Sequence, residues 1–271
     1  MKKFIAMLLV LSMVLAFAGC AKTEAPETTA APETTEAVVE TTEAAVEETE
    51  AAEEAAVMTH EEFIAAEMDT EVVIETYVQA TQSWWQDAIK VYAQSEDGAY
   101  FVYDMACSEE DAAKLVPGTK IRVTGFKGEW SGEVEIMDGT FELVEDGETY
   151  IAEPVDVTEL LGTEELADHM NELVSFTGLT VAPSTIEGDE TEYAFLYNWD
   201  GSGEAGSDLY FNVSIGDAVY NFCVESYLCG ADTDVYKAVE ALQVGDVIDA
   251  EGFLYWYNGA NPHITSVTVA E

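Results

Sequence analysis

Three histidines in the body of this chain, His60, His169 and His263, are the side chains best suited to proton transfer near neutral pH. Nucleophilic catalysis would require one of them to lie beside a serine, cysteine or threonine and to be oriented by a third group. None of the three lies in a Gly-x-Ser-x-Gly turn or in a His-Glu-x-x-His helix pattern. We therefore predict structural or surface roles for the histidines, no catalytic residue and no enzymatic activity.

Carboxylates are abundant, with 55 acidic residues in a chain of 271. A glycoside hydrolase needs two of them on either side of a cleft, and the spacing singles out no such pair. Calcium prefers oxygen ligands in loops, and two acidic loops supply them. One loop contains Glu187, Asp189, Glu190 and Glu192, and the other contains Asp232 and Asp234. Neither matches the twelve-residue EF-hand pattern, so we predict no cofactor and no metal, with calcium as the open alternative.

Aromatic side chains are the candidate binding groups, because flat rings on an open surface stack on sugars and other planar ligands. Trp84 and Trp85 are adjacent, so in a regular strand they point in opposite directions and cannot both be core residues. Alternation likewise places Tyr210 on the face opposite Phe211. The alternative is that most of these rings fill a barrel core or the junction between domains. The predicted ligand-binding residues are Trp84, Trp85, Tyr103, Trp130, Tyr210, Trp256 and Tyr257.

A tandem repeat organises the elements that must position these side chains. Residues 118–132 align without a gap with residues 245–259, sharing glycines, an isoleucine, a Gly-Phe pair and an aromatic residue. Upstream, residues 70–78 align with residues 171–179. Repeats of this length indicate two copies of one domain rather than the short units of a solenoid.

Each copy is predicted to form about five strands and one short helix, from period-two alternation and from capping residues. The first copy has predicted strands at 72–80, 89–94, 99–105, 120–126, 133–137 and 140–144, and a helix at 108–115. The second copy has predicted strands at 172–181, 208–215, 219–225, 247–257 and 264–269, and a helix at 232–242. Further helices are predicted at 60–67 and 159–170, leading into the copies.

The run Ala99-Tyr-Phe-Val-Tyr-Asp104, a helix, and then Gly118-Thr-Lys-Ile-Arg-Val-Thr-Gly125 with a short hairpin resembles the OB-fold modules of bacterial secreted and surface proteins. The resemblance implies an all-β fold of two tandem OB-like Greek-key barrels, each with one short helix. The expected domains are residues 59–150 and 151–271. In the family the sheet face and its loops bind ligands, often oligonucleotides or oligosaccharides. The matching residues are turn glycines and core aliphatics, so they transfer no catalytic role.

The N-terminus has the pattern of a secretion signal. Lys2 and Lys3 precede an apolar run at 4–18, which is shorter than the roughly 20 residues that span a membrane. The run ends in Ala-Gly-Cys20 and resembles the lipobox of bacterial lipoproteins, which implies removal of a signal peptide at 1–20 and acylation of Cys20. Cys107, Cys223 and Cys229 remain. Cys223 and Cys229 are close enough in sequence to pair across a turn, and three reduced thiols are the open alternative.

Residues 21–58 are predicted to form a disordered acidic tether. They contain 11 glutamates, one lysine and no aromatic residue, so they cannot bury enough apolar surface to offset the entropy of ordering. A helix at 43–56 is the alternative, although it would be isolated and marginal.

Charge decides the predicted partners. Residues 59–271 contain 44 acidic and 6 basic side chains, and nucleic-acid binding usually depends on basic groups that neutralise phosphates. We therefore predict no nucleic-acid partner. The predicted protein is a non-catalytic lipoprotein on the extracellular face of the membrane, acting as a binding or adhesion module for a glycan, peptide or protein. An envelope accessory or scaffold lipoprotein is the alternative, and a secreted hydrolase ranks third.

Overall fold

The computed structural model describes residues 56–270. The predicted signal peptide at 1–20, the lipidation site Cys20 and nearly all of the tether at 21–58 lie outside the described residues. Between residues 56 and 270, no helix has both the length and the apolar character needed to cross a bilayer.

Five strands form a closed first barrel with the neighbour order β1-β2-β3-β5-β4. Its pairings are antiparallel except for the parallel contact between β3 and β5. The strands are β1 Glu71–Thr81, β2 Ala88–Ser95, β3 Gly98–Ala106, β4 Lys120–Trp130 and β5 Glu133–Leu143. Two helices, α1 His60–Ala65 and α2 Glu109–Ala112, accompany this barrel.

Alternating side chains produce this barrel in the way that the sequence predicts. On β4, Ile121 and Val123 are fully buried while the intervening Arg122 lies on the outer surface. The helix α1 places Phe63 against Tyr100 at a ring-centroid distance of 5.2 Å. The buried ammonium of Lys127 donates hydrogen bonds to the carbonyls of Ile64 at 2.6 Å and Ala66 at 2.9 Å, which holds the C-terminal end of α1 on the barrel.

A second closed barrel follows, in which β7 pairs with both β11 and β9 and so closes the ring β7-β11-β12-β10-β9. Its strands are β7 Leu173–Ala182, β9 Leu209–Ile215, β10 Ala218–Val224, β11 Val247–Phe253 and β12 His263–Val269, with the short strands β6 Val155–Asp156 and β8 Leu196–Tyr197 at the sides. The helix α3 Asp234–Glu240 precedes β11, at the position that α2 has in the first barrel. The prediction of two tandem OB-like barrels is confirmed.

Two predicted elements differ in kind from the structure, and the strand predicted at 247–257 ends at Phe253. The strands predicted at 133–137 and 140–144 are one continuous strand, β5, because Asp138 and Gly139 form a β-bulge opposite Gly125 instead of a turn. The helix predicted at 159–170 is two 3-10 helices, Thr158–Leu160 and Glu164–His169. Gly162 lies between them with a φ of 82°, a backbone conformation that ends a helix.

An aromatic cluster joins the two barrels. Tyr92 on β2 stacks on Phe253 on β11 with ring centroids 4.6 Å apart and an interplanar angle of 22°. Phe101 on β3 meets Tyr255 edge to face at 5.4 Å. The backbone N–H of Leu173 donates to the side-chain oxygen of Gln94 at 2.8 Å. The outer face of β2 and β3 is therefore partly covered by the second barrel.

Candidate functional site

An open cleft of about 830 Å³ lies where the β2–β3 face of the first barrel meets the loops and strand ends of the second. The β2–β3 face and the loop between β4 and β5 are the ligand-binding surfaces of OB folds. Aromatic rings from both barrels converge on it. They are Phe101, Tyr103 and Trp130 from the first barrel and Trp199, Tyr210, Tyr227, Tyr255 and Tyr257 from the second.

Strand alternation positions the contribution of the first barrel. Val91 and Val102 are paired across β2 and β3 and fully buried in the core, so their neighbours Lys90, Phe101 and Tyr103 lie on the outer face. The ammonium of Lys90 lies 4.7 Å from the centroid of the Tyr103 ring, a cation–π distance. The contact with the Lys90 ammonium therefore helps to hold the Tyr103 ring on the cleft wall.

Two turns that touch each other position the rings at one end of the cleft. The β4–β5 hairpin places Trp130 there, and the backbone N–H of Asn258 in the second barrel donates to the carbonyl of Ser131 in that hairpin at 2.7 Å. Trp256 lies behind this wall, where its ring packs over Gly132 and against the second core. Tyr257 then projects into the cleft with about half of its surface exposed.

A chain of hydrogen bonds crosses the junction and ends at His263 on the cleft. The amide of Gln82 donates to the Tyr92 hydroxyl at 3.2 Å, and that hydroxyl lies 2.6 Å from Nδ1 of His263. Burial lowers the pKa of His263 to about 3, so its imidazole is neutral at physiological pH. The Tyr92 hydroxyl accepts from Gln82, and Nδ1 of His263 lies within reach of its own hydrogen.

Two carboxylates also line the cleft. Asp208 accepts hydrogen bonds from the backbone N–H of Ser226 at 2.8 Å and from its hydroxyl at 2.6 Å. Burial, followed by the nearby negative charge of Asp208, raises the pKa of Glu225 to about 7. The Glu225 side chain therefore changes charge close to neutral pH.

Each of the six basic side chains among residues 56–270 is engaged by an oxygen of the chain itself. Lys90, which lines the cleft, pairs with Asp104, with its Nζ 2.8 Å from Oδ1. The other pairs are Lys114 with Asp111, Lys120 with Asp146 and Glu148, Arg122 with Glu75, Lys127 with two backbone carbonyls and Lys237 with the carbonyl of Asp232. Phosphates would thus have to compete for cations that are already paired.

The structure brings four of the predicted binding residues together in the cleft: Tyr103, Trp130, Tyr210 and Tyr257. Trp84 and Trp85 lie elsewhere, since Trp84 donates its indole N–H to the carbonyl of Cys107 at 3.0 Å and Trp85 is 67% exposed. Both tryptophans follow the end of β1, so the alternation argument that selected them does not apply. The residues of the cleft that the sequence did not single out for binding are Trp199, Tyr227, Tyr255, His263 and the three asparagines Asn221, Asn258 and Asn261.

In one of the two acidic loops proposed for calcium, the carboxylate of Asp189 has partners within its own loop. Asp189 accepts from the backbone N–H of Thr191 at 2.9 Å and from the hydroxyl of Tyr193 at 2.8 Å. Thr233 is the N-cap of α3, and Asp232 precedes it. In the described part of the chain, no group of three or more His, Cys, Asp or Glu side chains is placed to hold a metal.

The three cysteines of the body are free thiols in the structure, including Cys223 and Cys229. The other two histidines lie outside the cleft. His60 is in α1, and His169 pairs with Glu172 at 2.7 Å.

No family model matches the chain. No curated protein matches it either. Among solved structures, the Ifi202 HINa domain in complex with 20bp dsDNA is 11% identical, with a TM-score of 0.33 over 75% of this chain and 96% of that chain. A murine DNA binding protein bound with dsDNA is 11% identical, with a TM-score of 0.35 over 73% and 96%. A replication protein A heterotrimer bound to ssDNA is 12% identical, with a TM-score of 0.28 over 72% and 50%.

These structures are described as complexes with DNA. That description contradicts two predictions from the sequence, which are therefore wrong. One is the surface binding or adhesion module for a glycan, peptide or protein, with its scaffold alternative, and the other is the exclusion of nucleic acid as a partner. The exclusion used net charge, which describes the whole surface, whereas stacking on bases depends on the rings presented at one site.

Proposed function

We propose that this protein binds nucleobases, presented by a nucleoside or by a single strand, in the cleft between its barrels. The observation that supports the proposal is the convergence of aromatic rings from both barrels on the face that OB folds use for ligands. Each base that stacks on such a ring contributes about 1–3 kcal/mol to binding, whatever its identity. The binding role requires no catalytic group.

The size and the polar groups of the cleft also fit a base. Its volume of about 830 Å³ lies within the roughly 300–1,000 Å³ of small-molecule sites. Asn221, Asn258 and Asn261 line it, and each amide offers both donors and acceptors, as the edge of a base does. One of these amides is pre-oriented, because Asn261 donates to the carbonyl of Asn221 at 3.2 Å.

Charge sets how such a ligand would bind. The body is acidic and its basic side chains are paired within the chain, so the phosphates of a strand would be repelled. We expect the affinity to come from the base, and a neutral nucleoside to bind better than its 5′-monophosphate at low salt. For a single strand, salt would screen the repulsion, so binding would strengthen with ionic strength, opposite to the usual trend.

Titration of tryptophan fluorescence tests the proposal, because Trp130 and Trp199 both line the cleft. The ligands are adenosine, adenosine monophosphate and a short single-stranded DNA, at about 0.01 M and about 1 M salt, where the Debye length falls from about 30 to about 3 Å. We expect adenosine to bind at both concentrations and the strand mainly at the higher one.

Matched variants locate the binding. Tyr103→Ala should weaken adenosine binding by roughly ten- to a hundredfold, the loss of one stacking partner. Trp85→Ala removes an exposed ring outside the cleft and should leave the affinity unchanged. Absence of nucleoside binding, or strand binding that weakens as salt is added, would overturn the proposal.

We propose in addition that the protein acts at the outer face of a bacterial membrane, held by lipid on Cys20. The supports are the signal-like pattern of residues 1–20 and the resemblance of its end to a lipobox. Metabolic labelling with palmitate should mark the wild-type chain and not Cys20→Ser. An unlabelled wild-type protein that keeps its N-terminus would refute the anchor and leave the cleft proposal untouched.

A further inference from the structure

The imidazole ring of His263, which lines the cleft, is held on several sides. The residue is 7% exposed and lines the cleft, and its ring stacks on Tyr255 with centroids 4.2 Å apart and an interplanar angle of 20°. The Tyr92 ring contacts it edge-on at 6.0 Å from the other barrel. Rings on two sides and the hydrogen bond to Tyr92 together restrict rotation of the imidazole.

The hydrogen-bond chain favours one position of the proton on His263, because it gives the hydrogen of the buried Tyr92 hydroxyl an acceptor. Gln82 can only donate through its amide nitrogen, so the Tyr92 oxygen accepts there and its hydrogen is directed to Nδ1 of His263. A neutral imidazole that accepts at Nδ1 must carry its hydrogen on Nε2. The tautomer is therefore set by two residues of the first barrel, although His263 belongs to the second.

The hydrogen bond of the His263 ring is made by Nδ1, to Tyr92. The other ring nitrogen, Nε2, has no hydrogen-bond partner within residues 56–270. It is unpartnered without being fully buried, in a residue that lines the cleft. A donor that is fixed in orientation and has no partner in the protein can bind a ligand atom that carries a lone pair.

We propose that His263 determines specificity in the cleft by donating its Nε2 hydrogen to a carbonyl oxygen or ring nitrogen of the bound base. This inference rests on the proposed function, and it names the ligand edge that the site selects. Tyr92 and Gln82 act as positioning residues, because they fix the tautomer without touching the ligand.

The first test needs no ligand. Nitrogen-15 NMR of the histidine side chains should show His263 protonated at Nε2 and unprotonated at Nδ1, without change between pH 5 and 8. Tyr92→Phe removes the hydroxyl that fixes the tautomer and should produce a mixture of tautomers. A predominant Nδ1–H form in the wild-type protein would overturn the inference, even if nucleosides bind.

The second test compares two substitutions that remove the same ring. His263→Gln keeps an amide N–H near the position of Nε2, whereas His263→Asn places its amide near Nδ1 and leaves the cleft without the donor. We expect thymidine binding to fall about tenfold in His263→Asn, the equivalent of one hydrogen bond, and to be largely restored in His263→Gln. His169→Gln, outside the cleft, is the control and should bind like wild type.

A ligand pair separates hydrogen bonding from packing. The nucleoside of 2,4-difluorotoluene has nearly the shape of thymidine without its strong acceptors, so His263→Asn should weaken thymidine much more than this analogue. Equal weakening of both ligands would show that the ring acts by packing alone and would refute the donor role. If wild type binds neither nucleoside, the proposed function itself fails, an outcome distinct from either of these.

Discussion

The backbone N–H of Trp256 donates a hydrogen bond of 2.8 Å to Oε2 of Glu133, across the junction between the barrels. The Glu133 side chain is fully buried, and its Oε1 atom has no hydrogen-bond partner among the described residues. Glu135, on the same face of β5, also has one unpartnered oxygen. The junction thus contains two carboxyl groups whose ionisation the surroundings oppose.

The ionisation of Glu133 and Glu135 should therefore lower the stability of the protein as the pH rises, an effect that the buried neutral His263 partly offsets below about pH 6.5. Burial raises the pKa of Glu133 to about 8 and of Glu135 to about 7, from an ordinary value of 4.5. The folded state keeps protons that the unfolded chain has released, so stability present below pH 4.5 is lost as the pH rises to about 8. Chemical denaturation at several pH values should show this loss.

Glu133→Gln provides the comparison. The amide cannot ionise, so the variant should lose less stability between pH 4.5 and about 8. Above pH 8 its free energy of unfolding should exceed that of wild type by an amount on the order of a few kcal/mol. Glu129→Gln, in an exposed position of the same hairpin, should follow the wild-type curve. A stability curve for Glu133→Gln that parallels wild type would contradict the assignment.

Binding of phosphorylated ligands should depend on Glu225. Its pKa of about 7 means that the side chain is mostly neutral at pH 6 and mostly charged at pH 8. Adenosine monophosphate should bind more tightly at the lower pH, while adenosine should change little. Calorimetric titrations should show that Glu225→Gln removes part of this difference, while the rest comes from the phosphate, whose second pKa is about 6. A difference as large in the variant as in wild type would contradict a role of Glu225.

Gly132 allows Trp256 to pack closely behind the cleft wall. A Cβ atom at this position would lie 2.8 Å from the Trp256 ring, and the φ of 93° is strained for other residues. Gly132→Ala should therefore cost more than the roughly 1 kcal/mol expected from the backbone alone and should weaken nucleoside binding, since Trp130 belongs to the same hairpin. Thermal unfolding and fluorescence titration measure the two effects.

Gly147→Ala is the matched control for that variant. Gly147 has a similar φ of 83°, but a Cβ atom there would meet nothing within 4 Å. It should show the backbone cost without any change in binding. Equal destabilisation by both substitutions would mean that the contact with Trp256 has no energetic role.

The barrels could be predicted from the sequence because their determinants are local. Alternation on β4 places Ile121 and Val123 in the core, and Thr233 begins α3 with its own side chain. The bulge at Asp138 and Gly139 was mistaken for a turn, because the same two residue types favour both conformations.

The cleft could be predicted only in part, since it depends on how one barrel sits on the other. Tyr92 and His263 are 171 residues apart, and nothing in their local sequence indicates that they touch. Trp130 and Tyr257, near Gly132 and Gly259, could be selected from the sequence and occupy matching positions of the repeat. The adjacent Trp84 and Trp85 were selected by a strand argument, but β1 ends at Thr81.

The stack of Tyr92 on Phe253, with Phe101 beside it, has a consequence for any attempt to divide the protein. A fragment ending after the first barrel would present two large rings and the carboxyl groups of Glu133 and Glu135 to water, and we expect it to self-associate. We therefore expect the pair of barrels to be the smallest part of the chain that folds without self-association.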